Sequence, residues 1–253
     1  MRVCFNGCSL TVGEGFLEHT RNQYIYDRLL SQQFEFDSVN IAVGGSSNHT
    51  IFMRSAREIL SGKHDIVFTQ WTSLNRMWLY PGPDTAFFTN DRSLKDYQYR
   101  DWSLSAQEKT VFCNTLLLMN HDYNNIIELI DYCDILSALA VNTNTRLIFI
   151  NGLVPWQQDL LCSDTNIDLN KSLSAYTKSI LDFDHRSDKE ILDFFTKLCE
   201  KFQTLDQSKW VNLFDSFANF TVDDGPLGHH PGPVSHQRMA NDVANYLVRN
   251  SII

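Results

Sequence analysis

Apolar positions fall into short runs separated by stretches of helical period. Arg2 to Asn6, Ser38 to Val43, Asp65 to Gln70 and Arg146 to Asn151 are rich in Val, Ile and Phe and read as strands. Between them the spacing changes. Ser47 to Leu60 places Phe52, Ala56, Ile59 and Leu60 on one helical face, and Ser105-Ala106-Gln107-Glu108 is a capping box that opens a long helical region toward Ala140. A second capping box, Ser187-Asp188-Lys189-Glu190, starts a helix with Ile191, Phe194, Phe195 and Leu198 inward. From Ser235 onward, Met239, Val243, Tyr246 and Leu247 define a final helix. Alternation of this kind predicts a central parallel sheet with helices on both faces, an α/β three-layer sandwich.

The length, 253 residues with 43% hydrophobic content, suits one domain over residues 1–253. Two connections exceed what a crossover needs, at about residues 71–104 and 152–186. Long loops at strand ends shape binding sites or pack on partners.

Charge and cysteine content narrow the function. With 21 basic against 30 acidic side chains, a net charge of -9 and no basic run, nucleic acid is excluded as a partner. The six cysteines form no CxxC pair, so free thiols are expected and a disulfide framework is not. No signal-like leader and no membrane-length apolar segment is seen, which leaves a cytoplasmic location as the expectation. The oligomeric state is open.

In open parallel sheets ligands bind beyond the carboxyl ends of the strands. After the first strand stands Gly7-Cys8-Ser9-Leu10-Thr11-Val12-Gly13-Glu14-Gly15, a serine at a glycine-bordered turn. Such a turn can present a hydroxyl and aim backbone N–H groups at an oxyanion. It matches neither dinucleotide nor P-loop glycine patterns, and Glu14 would repel phosphate. Nor is it a GxSxG elbow, since Thr11 replaces the second glycine. Near the other end lies Asp223-Asp224-Gly225-Pro226-Leu227-Gly228-His229-His230-Pro231, followed by His236. A serine needs a base, and the base needs an orienter; both residue types are here.

Together these segments resemble the SGNH/GDSL hydrolase superfamily. Its GDSLTxG block is matched at Gly7 to Gly13, with Cys8 in place of aspartate. Its second block is matched at Asn40 to Asn48, with Gly44 and Gly45. Its DxxHP block is matched at His230-Pro231 once Pro226-Leu227-Gly228 is treated as an insertion, which returns Asp224 to register. The third block, GxND, is the poor match: Gln70-Trp71-Thr72-Ser73-Leu74-Asn75-Arg76 has no glycine.

The resemblance implies an esterase, lipase or carbohydrate O-deacetylase that needs no metal or organic cofactor. Ser9 would be the nucleophile, His230 the base and Asp224 its orienter. The oxyanion would be held by backbone N–H of Ser9 and Gly45 and by a side chain from the third block, Asn75 first, with Thr72 or Ser73 as substitutes. The expected partner is a small-molecule or glycan ester.

The plainer readings are a turn serine, a surface His230, structural or exposed His229 and His236, and a buried Cys8. Trp71, Trp78 and Tyr80 could stack on a sugar or simply pack. The His/Asp segment fits no common zinc spacing. Two rivals to the hydrolase are a non-catalytic carbohydrate-binding or structural protein on the same fold, and an O-acyltransferase.

Overall fold

A computed structural model describes residues 1–74, 76–79, 86–89, 122–153, 155–161, 173–181, 186–228 and 230–253. Four parallel strands make the central sheet: β1 (Arg2–Asn6), β2 (Asp37–Asn40), β3 (Ile66–Trp71) and β6 (Arg146–Asn151), in the order β2-β1-β3-β6. The register pairs Phe5 with both Asn40 and Phe68, and Trp71 with Asn151. β3 is buried along its whole length, as expected for an inner strand covered on both faces.

Alternation along β1 decides what each layer holds. Asn6 turns toward α4 (Asn48–Ser61), donating to the Ile51 carbonyl at 2.7 Å and to Ser55 Oγ at 2.9 Å. Phe5 turns the other way, stacking on Phe68 at 4.7 Å and meeting the edge of Tyr26 at 5.9 Å. Tyr26 opens α3 (Tyr26–Phe34), which packs with the final helix α8 (Pro233–Arg249) on that side. Across the sheet α4 packs with α5 (Asp122–Thr143), whose Ile126, Leu129, Ile130, Cys133, Leu136 and Ala140 are buried at helical spacing. The result is the three-layer α/β architecture that the apolar pattern predicts.

Local chemistry sets the element ends. Ser47 caps α4 by accepting from the Thr50 N–H, and Gly62 closes it in the left-handed region. Both bonds of the capping box at Ser187 and Glu190 are present at the start of α7 (Asp188–Phe202). β2 stops at Asn40 rather than Val43 because the Asn40 side chain leaves the ladder, its Oδ1 taking the Ala42 N–H at 3.0 Å.

Two short helices, α2 (Glu18–Tyr24) and α3, fill the β1–β2 connection, where no helix was expected from spacing. In the first long connection, β4 (Arg76–Leu79) pairs antiparallel with β5 (Ala86–Thr89). In the second lies a short helix, α6 (Ala175–Ile180). The Ser105–Glu108 capping box, Tyr80, Asn75 and the Trp78 side chain lie outside the described residues. None of the helices among the described residues is long and apolar enough to cross a membrane.

Candidate active site

Ser9 stands where β1 gives way to a single helical turn, α1 (Ser9–Val12). Cys8, extended and fully buried, is the residue before the turn, and Gly13 in the left-handed region (φ 73°) ends it. The Gly13 and Glu14 N–H groups both close onto the Ser9 carbonyl, the latter at 2.9 Å. The N–H groups that open a helical turn have no partner within it, which leaves those of Ser9 and Leu10 at its amino end.

The turn is pinned from beneath. Thr11 Oγ1 donates to the Gln70 side-chain carbonyl, and the Asn40 amide donates to the Thr11 carbonyl at 2.8 Å. Gly7 makes room for the first contact: a Cβ there would lie 2.0 Å from Thr11 Oγ1.

The His230 segment docks directly on this turn. The Leu227 N–H donates to the Gly15 carbonyl at 2.9 Å. Gly225 lies against that same carbonyl, and a Cβ on Gly15 would meet the His230 Cβ at 2.8 Å. Residues Gly15, with φ 104°, and Gly225 therefore have to be glycines for the two segments to touch.

The segment itself is a narrow antiparallel ribbon. Asp224 bridges Pro231, flanked by hydrogen bonds from Gly225 N–H to the His230 carbonyl (2.7 Å) and from Gly232 N–H to the Asp223 carbonyl (2.9 Å). Alternation across such a ribbon puts Gly225 and His230 on one face and Asp224 with Pro231 on the other. The first face is the one that meets Gly15. Asp224 is exposed.

Asp223 caps the final helix. Its carboxylate accepts from the Val234 N–H at 2.9 Å, the Ser235 N–H at 2.8 Å and Ser235 Oγ at 2.5 Å. Burial acts to raise its carboxyl, but the hydrogen bonds from Ser235 and Val234 outweigh burial and hold it below the ordinary value. His236 is enclosed by Phe16, Tyr26 and Phe217, with Nδ1 accepting the Tyr26 N–H at 3.3 Å. Burial pushes it down to about 4, so it is neutral. Of the two roles open to His236, the buried structural one holds.

On His230 the ion-pair contact is with Glu14: Nε2 lies 3.5 Å from Oε2. The same carboxylate rests on Gly44, where a Cβ would fall 1.5 Å from Oε1. Gly45 follows in the left-handed region with φ 72°. Thus the first, second and last segments converge on one rim at the strand ends. Ser9 and His230 are not hydrogen-bonded to each other among the described contacts.

The third segment is held by Asn48, at the start of α4. Its Oδ1 accepts the Thr72 N–H at 2.8 Å, and its amide reaches the Thr72 and Ser73 carbonyls at 3.4 and 3.5 Å. Thr72 Oγ1 and Gln70 Nε2 are buried without a hydrogen-bond partner among the described residues. Trp71 is core, 1% exposed and stacked on Phe149 at 5.8 Å, which removes it from any sugar-stacking wall. A recess of about 240 Å³ adjoins Asn48, lined by His49, Leu74, Arg76, Asn125, Glu128 and Tyr132.

Sequence reasoning missed Glu14 and Asn48 as members of the site. Glu14 was weighed only as a charge against phosphate; its step beyond the GDSLTxG block gave no signal of a partner at the far end of the chain. At the opposite, amino end of the sheet, Cys4, Glu58 and His64 bring their donor atoms within 4.8 Å of one another. His64 Nε2 and Glu58 Oε2 are 2.9 Å apart, and burial pushes the Cys4 thiol up to about 12.

Solved structures similar to this chain over nearly its whole length share its α/β architecture. One is assigned as a lipolytic protein of the G-D-S-L family from Desulfitobacterium hafniense DCB-2. It is 11% identical, with 97% of this chain and 99% of that one covered and a TM-score of 0.46. Another is the acetyl xylan esterase AlAXEase, 11% identical, covering 97% and 98% at 0.45. A third is the psychrotrophic esterase EstA from Pseudoalteromonas sp., 10% identical, covering 100% and 99% at 0.43. No family model and no curated protein matches the chain.

Proposed function

We propose that this chain is a one-domain serine hydrolase that cleaves an ester through an acyl-enzyme on Ser9, with His230 as general base. The observation that carries the reading is the docking of the His230 ribbon on the Ser9–Gly15 turn through Leu227, Gly225 and Gly15. Two segments from opposite ends of the sequence meet at the strand ends, where ligands bind in sheets of this kind.

His230 takes the Ser9 proton as Oγ attacks the ester carbonyl, and returns it to the leaving alcohol; water then releases the acyl group. The backbone N–H groups of Ser9 and Gly45 receive the oxyanion, with Thr72, Ser73 or Asn75 as side-chain donor. The spacing of the motif nominates Asp224 to orient the imidazole. The polar side chains of Asn48, Arg76, Asn125 and Glu128 in the recess support a polar alcohol, and a carbohydrate O-acetyl ester is the substrate class we favour.

A fluorophosphonate probe tests the reading: it should label the wild type at Ser9, and Ser9→Ala should lose both labelling and aryl-acetate hydrolysis while keeping its melting temperature. Folded protein that is never labelled would favour a non-catalytic, carbohydrate-binding role, to which the missing Ser9–His230 hydrogen bond lends weight. Transfer of the acyl group to an added sugar, in preference to water, would make the protein an O-acyltransferase.

A further inference from the structure

We infer that Glu14, rather than the aspartate of the motif, is the carboxylate that positions His230; the inference rests on the proposed roles of Ser9 and His230. Three observations converge on it. First, Glu14 is the acidic group within ion-pair distance of the His230 ring among the described residues, at 3.5 Å. That is longer than a tight hydrogen bond, as catalytic contacts often are before substrate arrives. Second, the carboxylate occupies a place made for it. It follows the left-handed Gly13, its N–H is tied to the Ser9 carbonyl, and its head rests on Gly44, where any side chain would collide with Oε1.

The third observation concerns the alternatives. Asp224 shares a ribbon face with Pro231, away from the Gly225–His230 face, and is exposed. Asp223 shares the face of His230, but Val234 and Ser235 take both its oxygens for the cap of α8. Neither is directed at the imidazole. Among the described residues His236 is also close by, and it is fully buried with Nδ1 occupied by the Tyr26 N–H.

With the Nε2 proton held by Glu14, the lone pair available to Ser9 is on Nδ1. The Oγ proton moves to Nδ1 as the Oγ–carbonyl bond forms, and Glu14 stabilises the resulting imidazolium. That proton then passes from Nδ1 to the leaving oxygen as the ester C–O bond breaks. Water, the one co-reactant, then attacks the acyl carbonyl, giving a proton to Nδ1 that returns to Ser9 Oγ as the acid leaves. Nucleophile and carboxylate thus come from one short turn, five residues apart in the sequence Ser9-Leu10-Thr11-Val12-Gly13-Glu14.

The experiment compares Glu14→Gln, Glu14→Asp, Gly44→Ala and Asp224→Asn by aryl-acetate kinetics, fluorophosphonate labelling and the imidazole ¹⁵N spectrum of His230, with melting curves as folding controls. Glu14→Gln should lower kcat by about a hundredfold or more with little change in KM, with partial rescue in Glu14→Asp. In its spectrum the His230 proton should spread over both nitrogens. Gly44→Ala, which displaces the carboxylate without removing it, should give the same spectral change. Asp224→Asn should lose less in kcat than Glu14→Gln and should leave the His230 spectrum unchanged. A larger loss in Asp224→Asn than in Glu14→Gln, or a His230 spectrum indifferent to Glu14, would overturn the inference. Absence of labelling in the wild type would sink the hydrolase reading instead, while the ¹⁵N spectrum still decides the question of Glu14.

Discussion

Thr72 carries a hydroxyl that has no hydrogen-bond partner among the described residues. A buried polar group left without a partner costs about 1–3 kcal/mol, so its presence just past the carboxyl end of β3 calls for another use. Thr72→Val keeps the shape and removes the unpaired hydroxyl. If Thr72 donates to the oxyanion, the variant should melt at the same or a higher temperature than the wild type and turn over about a hundredfold more slowly. Stability and activity would then move in opposite directions, which distinguishes a donor from a packing residue. An unchanged rate in Thr72→Val would leave the task to Asn75 or Ser73.

Among the elements, α8 depends on a residue outside it. Gly232 at its start offers no side chain, and Asp223 supplies the missing acceptors from nine positions upstream across the ribbon. Asp223→Ala should cost about 1–2 kcal/mol, a fall of a few degrees in melting temperature. The folded carboxyl lies below its unfolded value of 3.8, so this contribution is present above that value and is lost as pH falls through the folded one.

This cap also explains what the sequence could and could not disclose. Strands β1, β3 and β6 and helices α4 and α7 were legible because run length, spacing and capping boxes are local signals. The meeting of the Ser9 turn and the His230 segment was legible from motif order. The Asp223 cap and the Glu14–His230 contact were not, because they follow from which face of the ribbon meets Gly15. Trp71 was ambiguous for a similar reason: a strand's last aromatic can face core or cleft, and only the pairing with Phe149 decides.

At the scale of the whole molecule, two buried groups on the α3–α8 side answer pH in opposite senses. Burial raises Asp27 to about 6, more than hydrogen bonding and Arg28 lower it. Its contribution is therefore full below its unfolded value of 3.8 and is lost as pH rises through about 6. His236, lowered from 6.5 to about 4, contributes above 6.5, and that is lost as pH falls through about 4. The two slopes oppose each other over the same interval, so the wild type should show little change in unfolding free energy there from this pair. In Asp27→Asn only the histidine limb remains. Denaturant titrations of that variant should show stability rising with pH between about 4 and 6.5, by on the order of 3 kcal/mol relative to the wild-type trend. A parallel pair of curves would contradict the assignment.

The seam between the chain's early and late segments has a kinetic meaning of its own. Tyr26 and His236 are 210 positions apart, and the Gly15–Leu227 bond spans the sequence in the same way. Closing so large a loop costs little more free energy than closing a moderate one, because the entropy grows only with the logarithm of length. It is still a rare encounter, made after the sheet is in place. Competence should thus be the last property gained on refolding and the first lost on heating, with esterase activity decaying before ellipticity does. The Leu227 amide would exchange its hydrogen through that local parting, while the amides of β3 wait for the molecule as a whole to open.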